Sequence, residues 1–553
     1  MNDDAVLYHE TAIITILVQS SFVLALNIVD HVLDKALYCG LVGQILVGMA
    51  YGTPGADILG TSLQQTVTNL GYIGLILIVF EGGLLTDMAA VRSNLVLSVM
   101  VALTGISFPI AISFSLVKMC DATTLQAFAA GCALSSTSLG TTFSVLKSSG
   151  LDHSRLGVVL TSAAMLDDVV GLVMVQVINN LGTASTGVKA AVIIRPVFVS
   201  IGYAALVPTI LFVMKKISRN SWCGTLRTGR IHDVSVSSRG KFVAFTLLLL
   251  GAVTSASYAG TSALFASYLA GLVIASKSTG LSASAETLHE PKTECSNSHS
   301  KQEQERDPGQ TAEESWEMVT KTKSPPRAVT CDREFSSAKP SPSGSTTGPG
   351  KQEELVLVDV GCQTVQEIQE GPANIYDLYY AGIVNKMLKP FFFGSIGFSI
   401  PISRLFDPPT LWRGVVYAVL MMFGRLACGI WLVRFSTRTS NSDGGKHEKV
   451  TAWKSLTQYR PQSLYPAGIL GSAMVARGEI GFLISAIAQA NGILAEPSNQ
   501  GDIFLIVTWA ILLCTIVGPT TVGLLTKRVK RLQSAKKQNG SGKVNALGIW
   551  GDM

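Results

Sequence analysis

The sequence predicts an all-α polytopic membrane protein with about 13 transmembrane helices. Its 553 residues are 48% hydrophobic and only 14% charged, whereas soluble domains carry about 25% charged residues. Apolar runs of about 20 residues recur along the chain, and in lipid only helices and closed barrels satisfy their backbone hydrogen bonds. The net charge of +6 lies mostly in short loops, which does not indicate nucleic-acid binding. The nine cysteines form no CxxC pair or Cys/His cluster, so no cofactor, resident metal or disulfide framework is expected.

The apolar runs define the predicted spans in chain order. Only Tyr258-Ala-Gly-Thr261 separates the eighth span from the ninth, so the count depends on that short sequence. The thirteen spans cover residues 9–29, 36–52, 66–86, 94–118, 122–147, 155–181, 190–214, 241–258, 261–276, 378–403, 411–435, 464–492 and 502–526.

Lysine and arginine concentrate in alternate loops. The loop 215–241 carries seven of them, the loop after span eleven carries six, and the C-terminal tail begins Lys527-Arg-Val-Lys-Arg531. The main loops of the opposite side hold two, Lys189 and Arg404. The positive-inside rule therefore places the N-terminus outside and the C-terminus in the cytoplasm, a parity that an odd number of spans satisfies. A plasma membrane location is favoured, with an organelle membrane as the alternative.

The segment 277–373 differs from the spans in composition. It is rich in Ser, Thr, Glu, Lys and Pro and contains few large apolar residues, so it cannot bury enough surface to offset its ordering entropy. We expect a disordered cytoplasmic linker there. The predicted organisation is a first membrane part, 1–276 with spans one to nine, this linker, a second membrane part, 374–527 with spans ten to thirteen, and a short cytoplasmic tail, 528–553.

A faint repeat crosses the linker. Leu41–Gly48 of span two resembles Leu264–Gly271 of span nine, and Phe80–Leu84 of span three resembles Phe393–Phe398 of span ten. Both pairs are seven spans apart, and an odd offset gives the two halves opposite orientations in the membrane. This is the inverted-repeat arrangement of secondary transporters. Glycine-rich helix packing alone could also produce the similarity.

The same offset pairs span five with span twelve. Span five carries Ser136, Thr137 and Ser138 near its middle, and span twelve carries Arg477-Gly-Glu479. Serine and threonine compete for backbone hydrogen bonds and glycine stabilises a helix weakly, so both spans are predicted to be broken helices. Their hydroxyl groups and freed carbonyl groups are hard oxygen ligands suited to Na⁺ or K⁺.

Two adjacent carboxylates, Asp167 and Asp168, lie near the middle of span six. An ionised acid at mid-membrane costs about 2.5–3.5 kcal/mol on insertion scales, and such acids usually face a wet cavity and bind ions or carry protons. The two side chains project about 100° apart on a helix. A carboxylate that holds either a proton or a cation is itself an exchange site. The alternative is that both acids only bridge to basic residues of other spans.

Arg425 in span eleven and Arg477 in span twelve are the candidate charge-compensating residues. Their possible partners are the acids Asp167, Asp168, Glu479 and Glu81. Residues two apart on a helix, such as Arg477 and Glu479, do not face each other, so the partners are expected across the bundle unless the helix is unwound there. Glu81 lies toward the cytoplasmic end of span three and is better explained as an acid of the hydrated entrance.

The chain resembles the monovalent cation:proton antiporter superfamily of bacterial and eukaryotic sodium/proton exchangers, and most closely its paired-aspartate branch. The resemblance implies a core domain that moves, a panel domain that dimerises, and broken helices that cross at spans five and twelve. It also implies that Asp168 carries the ion and the proton and that Asp167 pairs with Arg425. The matching stretches are Leu41–Met49, Leu77–Leu84, Gly131–Thr142, Ser162–Gly171, Phe391–Phe398 and Met474–Phe482.

Many bacterial members are expected to have lysine at the position of Arg425. A buried lysine can titrate and an arginine cannot, so the number of protons moved per cycle stays open. The predicted function is a transporter, not an enzyme, that exchanges a monovalent cation for protons by alternating access. Na⁺ is favoured, Li⁺ is a surrogate, and the protein is expected to be a homodimer in lipid that binds no nucleic acid. K⁺/H⁺ exchange, a cation channel or a non-transporting sensor are the alternatives.

Overall fold

The computed structural model describes most of the two predicted membrane parts. Contacts divide the chain into two units, one formed by Met1–Ala283 with Glu370–Met553 and the other by Ser284–Gln369. The helices that carry the candidate site belong to the first unit. Apart from its two ends, the predicted linker lies outside the described residues, which are 10, 12–86, 88–138, 146, 150–151, 154–182, 194–206, 209, 237–286, 371–435, 463–495, 501–538, 547 and 550.

The described part of the first unit consists almost entirely of helices. A π-helical turn, Val384–Leu388, and a 3₁₀ turn, Ala427–Gly429, interrupt two of them. The α-helices are α1 (Ile13–Leu37), α2 (Gly40–Tyr51), α3 (Thr61–Leu84), α4 (Met88–Ser93), α5 (Leu95–Ser113), α6 (Ser115–Met119), α7 (Thr124–Ala133), α8 (Arg155–Gly182), α9 (Ile194–Leu206), α10 (Ser238–Ala259), α11 (Ala263–Glu286), α12 (Pro372–Tyr379), α13 (Ala381–Ile383), α14 (Lys389–Phe398), α15 (Ile402–Leu405), α16 (Pro408–Leu426), α17 (Ile430–Phe435), α18 (Tyr465–Val475), α19 (Glu479–Ala490) and α20 (Ile503–Gln538).

Within the described residues, eight helical segments are long and apolar enough to cross a membrane. Three shorter apolar helices, α2, α9 and the first part of α11, accompany them. The prediction of an all-α protein with many spans is confirmed, whereas the number thirteen stays a prediction. The last helix, α20, continues through the basic sequence 527–531 to Gln538, beyond the predicted end of span thirteen.

Glycines allow two pairs of helices to cross at close range. A Cβ atom at Gly48 of α2 would lie 2.0 Å from the carbonyl oxygen of Gly394 in α14. A Cβ atom at Gly271 of α11 would lie 2.4 Å from the carbonyl oxygen of Phe80 in α3. Both crossings therefore require a residue without a side chain. The first crossing joins spans two and ten, and the second joins spans nine and three. The predicted inverted repeat pairs span two with span nine and span three with span ten, so it relates one crossing to the other.

Two helices end beside the middle of α8. Helix α7 begins with a capping box between Thr123 and Gln126 and ends at Ala133. Helix α18 ends at Val475, and α19 begins at Glu479 after an interruption of three residues. The segments that follow α7 and α18 meet where the backbone N–H of Ser138 donates a hydrogen bond to the carbonyl oxygen of Ala476, at 3.0 Å. From residue 139 to the end of span five, only Leu146 lies within the described part of the chain.

Two residues of the C-terminal segment pack at the start of α8. Leu547 and Trp550 are buried in a cluster that includes Leu156 of α8 and Val529 of α20. The Arg155 guanidinium lies over the Trp550 ring, 5.1 Å from its centroid. The first residue of the helix that carries the aspartates is thus held by an aromatic side chain more than 390 positions away in sequence.

Candidate ion-binding site

Asp167 forms a fully buried ion pair with Arg425. Arg425 Nη1 lies 2.8 Å from Asp167 Oδ2, and both side chains are 0% exposed. The Thr137 hydroxyl donates to the same carboxylate oxygen at 3.0 Å. Helix α16 supplies Arg425 from its last turn, and Gly105 of α5 makes room for the guanidinium, since a Cβ there would lie 2.6 Å from Arg425 Nη1. Asp167 therefore has both a cation and a hydroxyl as permanent neighbours.

Asp168 has a different environment, although it is the next residue of α8. It is partly exposed, and the Ser136 hydroxyl donates to its Oδ1 atom at 3.3 Å. A Cβ at Gly171 would lie 3.1 Å from Ser136 Cβ, so the absence of a side chain there lets the α7 end approach α8. Among the described residues, Asp168 has no ion-pair partner. The charged group that acts on it most strongly is the carboxylate of Glu479.

Arg477 lies in the interruption between α18 and α19 and is 0% exposed. Within the part of the chain that the structure describes, it forms no ion pair. Its Nη1 atom instead donates a hydrogen bond of 2.9 Å to the carbonyl oxygen of Ser136. The guanidinium thus satisfies a buried backbone carbonyl of the segment after α7.

The eight residues predicted from the sequence lie together at this crossing. Helix α8 contributes the two aspartates, and the segment after α7 contributes the three hydroxyl residues. Helix α16 and the α18–α19 interruption contribute one arginine each, and α19 contributes the acid as its first residue. These residues are Asp167, Asp168, Ser136, Thr137, Ser138, Arg425, Arg477 and Glu479. Their proximity is a structural finding, and their roles stay predictions.

Sequence reasoning missed two residues of the site. Gly105 is one, because a glycine in an apolar span gives no sign of the side chain that it accommodates. The other is Thr515 of α20, whose hydroxyl lies 3.1 Å from the carbonyl oxygen of Arg477. A threonine in an apolar helix ordinarily bonds to the carbonyl four residues earlier, so nothing in the sequence distinguishes this one.

The site can bind a small monovalent cation through oxygen atoms. A carboxylate and a hydroxyl are hard ligands of the kind that replace part of a cation's hydration shell. The buried pair beside them carries no net charge, so the charge of Asp168 can be neutralised by a cation or by a proton. The side chain of Asp168 is partly exposed, whereas that of Asp167 is fully buried.

A model of the family described as "Sodium/hydrogen exchanger, transmembrane" matches residues 21–291 and 373–528. This chain belongs to the sodium/hydrogen exchanger family. The match covers both membrane parts and includes every predicted site residue. The family assignment agrees with the predicted antiporter superfamily and with a transport protein rather than an enzyme.

Curated relatives of this exchanger match shorter stretches. It is 29% identical over 175 residues to the probable Na⁺/H⁺ antiporter GerT of Bacillus cereus. The aligned residues are 31% of this chain and 46% of GerT. It is 28% identical over 143 residues to the high-affinity Na⁺/H⁺ antiporter NhaS3 of Synechocystis. Here the aligned residues are 26% of this chain and 31% of NhaS3. These matches thus span less than half of either relative's length.

The exchanger also shares its fold with a solved structure. The sodium proton antiporter MjNhaP1 from Methanocaldococcus jannaschii superposes with a TM-score of 0.53 at 13% sequence identity, covering 93% of this chain and 99% of that one. At that identity the likeness concerns the fold alone. It confirms the predicted class of a polytopic helical membrane protein.

Proposed function

We propose that this chain exchanges Na⁺ for H⁺ across a membrane and that Asp168 binds each in turn. The observation that carries the proposal is the unequal environment of two adjacent carboxylates. Asp167 is neutralised by Arg425 at 2.8 Å, whereas Asp168 has only the Ser136 hydroxyl as a hydrogen-bond partner among the described residues. The charge of Asp168 is therefore available for a transported ion.

The proposed cycle uses competition at one carboxylate. Ionised Asp168 and the Ser136 hydroxyl oxygen bind Na⁺, and protonation of Asp168 removes the charge that holds the cation. Exchange then requires that the loaded site open alternately to each side of the membrane, because a site open to both sides at once would leak. Na⁺ is favoured over K⁺ because the relatives GerT and NhaS3 are named as Na⁺/H⁺ antiporters.

Arg425 determines the proposed stoichiometry. A guanidinium does not lose its proton in a protein, so the Arg425–Asp167 pair stays charged and paired throughout the cycle. Only Asp168 changes its protonation. One proton then moves for each Na⁺, and the exchange is electroneutral.

The proposal also includes the orientation of the protein, its membrane and its oligomeric state. We infer an N-terminus outside and a C-terminus in the cytoplasm, as the lysine and arginine distribution favours, with the plasma membrane as the location. We also infer a homodimer in lipid. Helix α1 presents large apolar side chains such as Ile13, Leu17 and Leu24, a surface suited to contact with lipid or with a second copy of the chain.

The central experiment is cation exchange in proteoliposomes with an imposed pH gradient, using Na⁺, Li⁺ and K⁺. Asp168→Asn should abolish exchange of every cation, because the amide cannot alternate between a charged and a neutral state. Asp502→Asn is the matched control, since Asp502 lies at the start of α20 and pairs with Arg404 instead. Wild-type exchange rates in Asp168→Asn would refute the proposal.

A second measurement tests the stoichiometry. A membrane potential is imposed with K⁺ and valinomycin, and the Na⁺-driven proton flux is recorded. The wild-type flux should not depend on the potential, whereas Arg425→Lys introduces a base that can titrate and should make it potential-dependent. A potential-dependent wild-type flux contradicts one-for-one exchange, and exchange of K⁺ in preference to Na⁺ contradicts the cation assignment.

A further inference from the structure

Thr515 occupies a buried position in the middle of α20. Its side chain is 0% exposed, and its hydroxyl oxygen lies 2.7 Å from the carbonyl of Ile511 and 3.1 Å from the carbonyl of Arg477. A hydroxyl has a single proton, so Thr515 shares it between its own helix and the α18–α19 interruption. Thr508, two turns earlier and 2% exposed, donates to the carbonyl of Phe504 four residues before it, at 2.8 Å.

The three carbonyl groups of the α18–α19 interruption all accept hydrogen bonds from the protein. The backbone N–H of Ser138 donates to Ala476, and the Thr515 hydroxyl donates to Arg477. The backbone N–H of Phe482 donates to Gly478 at 3.3 Å. The sequence suggested that both broken helices offer free carbonyl groups to the cation. In this structure the second interruption has its carbonyl groups engaged.

A series of hydrogen bonds leads from Thr515 to Asp168. Thr515 holds the backbone of Arg477, and the Arg477 guanidinium holds the carbonyl of Ser136 at 2.9 Å. The Ser136 hydroxyl in turn donates to Asp168 at 3.3 Å. Each bond fixes the residue that makes the next one. A buried carbonyl that loses its donor is left unsatisfied, so removing the first bond favours a shift of the interruption toward another donor.

We propose that Thr515 is a positioning residue for cation binding. It acts through Arg477 to fix the orientation of Ser136, so that the cation is bound by side-chain oxygens of α8 and of the segment after α7. The α18–α19 interruption then supports that arrangement through the Arg477 guanidinium. This inference rests on the proposed Na⁺/H⁺ exchange at Asp168 and adds a residue that determines the affinity of that site.

The test compares Thr515→Val, which keeps the shape and removes the hydroxyl, with Thr515→Ser, which keeps it. The apparent KM for Na⁺ should rise about three- to tenfold in Thr515→Val, because a lost hydrogen bond of about 1 kcal/mol corresponds to a factor of this size. The rate at saturating Na⁺ should stay within about twofold of wild type. Thr515→Ser should restore the wild-type KM, and Thr508→Val, the matched control, should leave it unchanged.

Na⁺-dependent thermal stabilisation in detergent gives a second readout that does not require transport. The Na⁺ concentration at half-maximal stabilisation should rise in Thr515→Val by the same factor as the KM. A wild-type KM in Thr515→Val overturns the inference, and so does a fall in the saturating rate at constant KM, which indicates a structural role. If Thr515→Val does not fold, Thr515→Ala is compared with Thr515→Ser, and equal KM values overturn the inference.

These outcomes separate the inference from the function on which it rests. If wild-type protein shows no Na⁺/H⁺ exchange, the proposed function fails. If wild type exchanges, Asp168→Asn does not, and Thr515→Val binds Na⁺ as wild type does, then only the role of Thr515 fails.

Discussion

Replacing Asp167 by asparagine should destabilise the protein strongly, because it leaves the Arg425 charge buried without a partner. The two charges lie 2.8 Å apart and neither side chain is exposed. At an effective dielectric constant of about 20, their attraction is about 6 kcal/mol. Removing Asp167 also removes its own desolvation cost, which amounts to several kcal/mol. The net loss in the free energy of unfolding should therefore be about 3–5 kcal/mol.

The second guanidinium makes this loss more severe. Arg477 is buried close enough to Arg425 for the two positive charges to repel, and Asp167 attracts both. Asp167→Asn thus leaves two buried cations without the anion that attracts both. The double variant Asp167→Asn/Arg425→Met removes one of them and should recover most of the lost stability, since apolar side chains of similar volume often replace a buried pair at little cost.

The assay is denaturant unfolding in detergent micelles, followed by the intrinsic fluorescence of the seven tryptophans. The single variants Asp167→Asn and Arg425→Met and the double variant form a thermodynamic cycle with the wild type. A strong interaction gives a double variant that is more stable than the sum of the single losses predicts. A loss below about 1 kcal/mol in Asp167→Asn, or single losses that simply add, would refute the role assigned to this pair.

Three further predictions follow from specific contacts. Gly105→Ala should displace the Arg425 guanidinium, because its Cβ would lie 2.6 Å from Nη1, and lower the free energy of unfolding by about 1–3 kcal/mol. Gly251→Ala, whose Cβ meets nothing within 4 Å, is the control and should be neutral or stabilising. Trp550→Ala should release the C-terminal segment from Arg155, seen as faster tryptic cleavage of the tail by mass spectrometry; an unchanged rate contradicts the packing. Lowering the pH should raise the apparent Na⁺ KM by up to about tenfold per unit for one competing proton, and a hundredfold rise contradicts one-for-one exchange.

The charged residues of the site could be identified from the sequence because charge is rare in a membrane span. Asp167, Asp168 and Arg425 interrupt long apolar runs, and the insertion cost of each one marks it as functional or paired. The serine and threonine run and the glycine beside Arg477 likewise predicted interrupted helices. Family resemblance added the expectation that Asp167 pairs with Arg425, and the structure contains that ion pair.

The sequence could not indicate which neutral residues complete the site. Thr508 and Thr515 occupy the same kind of position in one apolar helix, yet only Thr515 reaches the carbonyl of another segment. The partner of Arg477 was also beyond the sequence, which suggested a carboxylate where the structure has the Ser136 carbonyl. Carbonyl groups occur at every residue, so no residue type marks the one that a helix end has left free.

The sequence by itself determined the membrane class, the interrupted helices and the charged residues at their level, because hydropathy and the cost of burying charge depend on local composition. The tertiary structure alone decided how the two adjacent aspartates differ. They have the same chemistry and lie side by side on one helix, about 100° apart. That rotation turns Asp167 toward Arg425 and leaves Asp168 partly exposed beside a single hydroxyl. Only the packing of α5, α7, α18 and α19 around α8, together with Arg425 from α16, sets which neighbour each carboxylate meets.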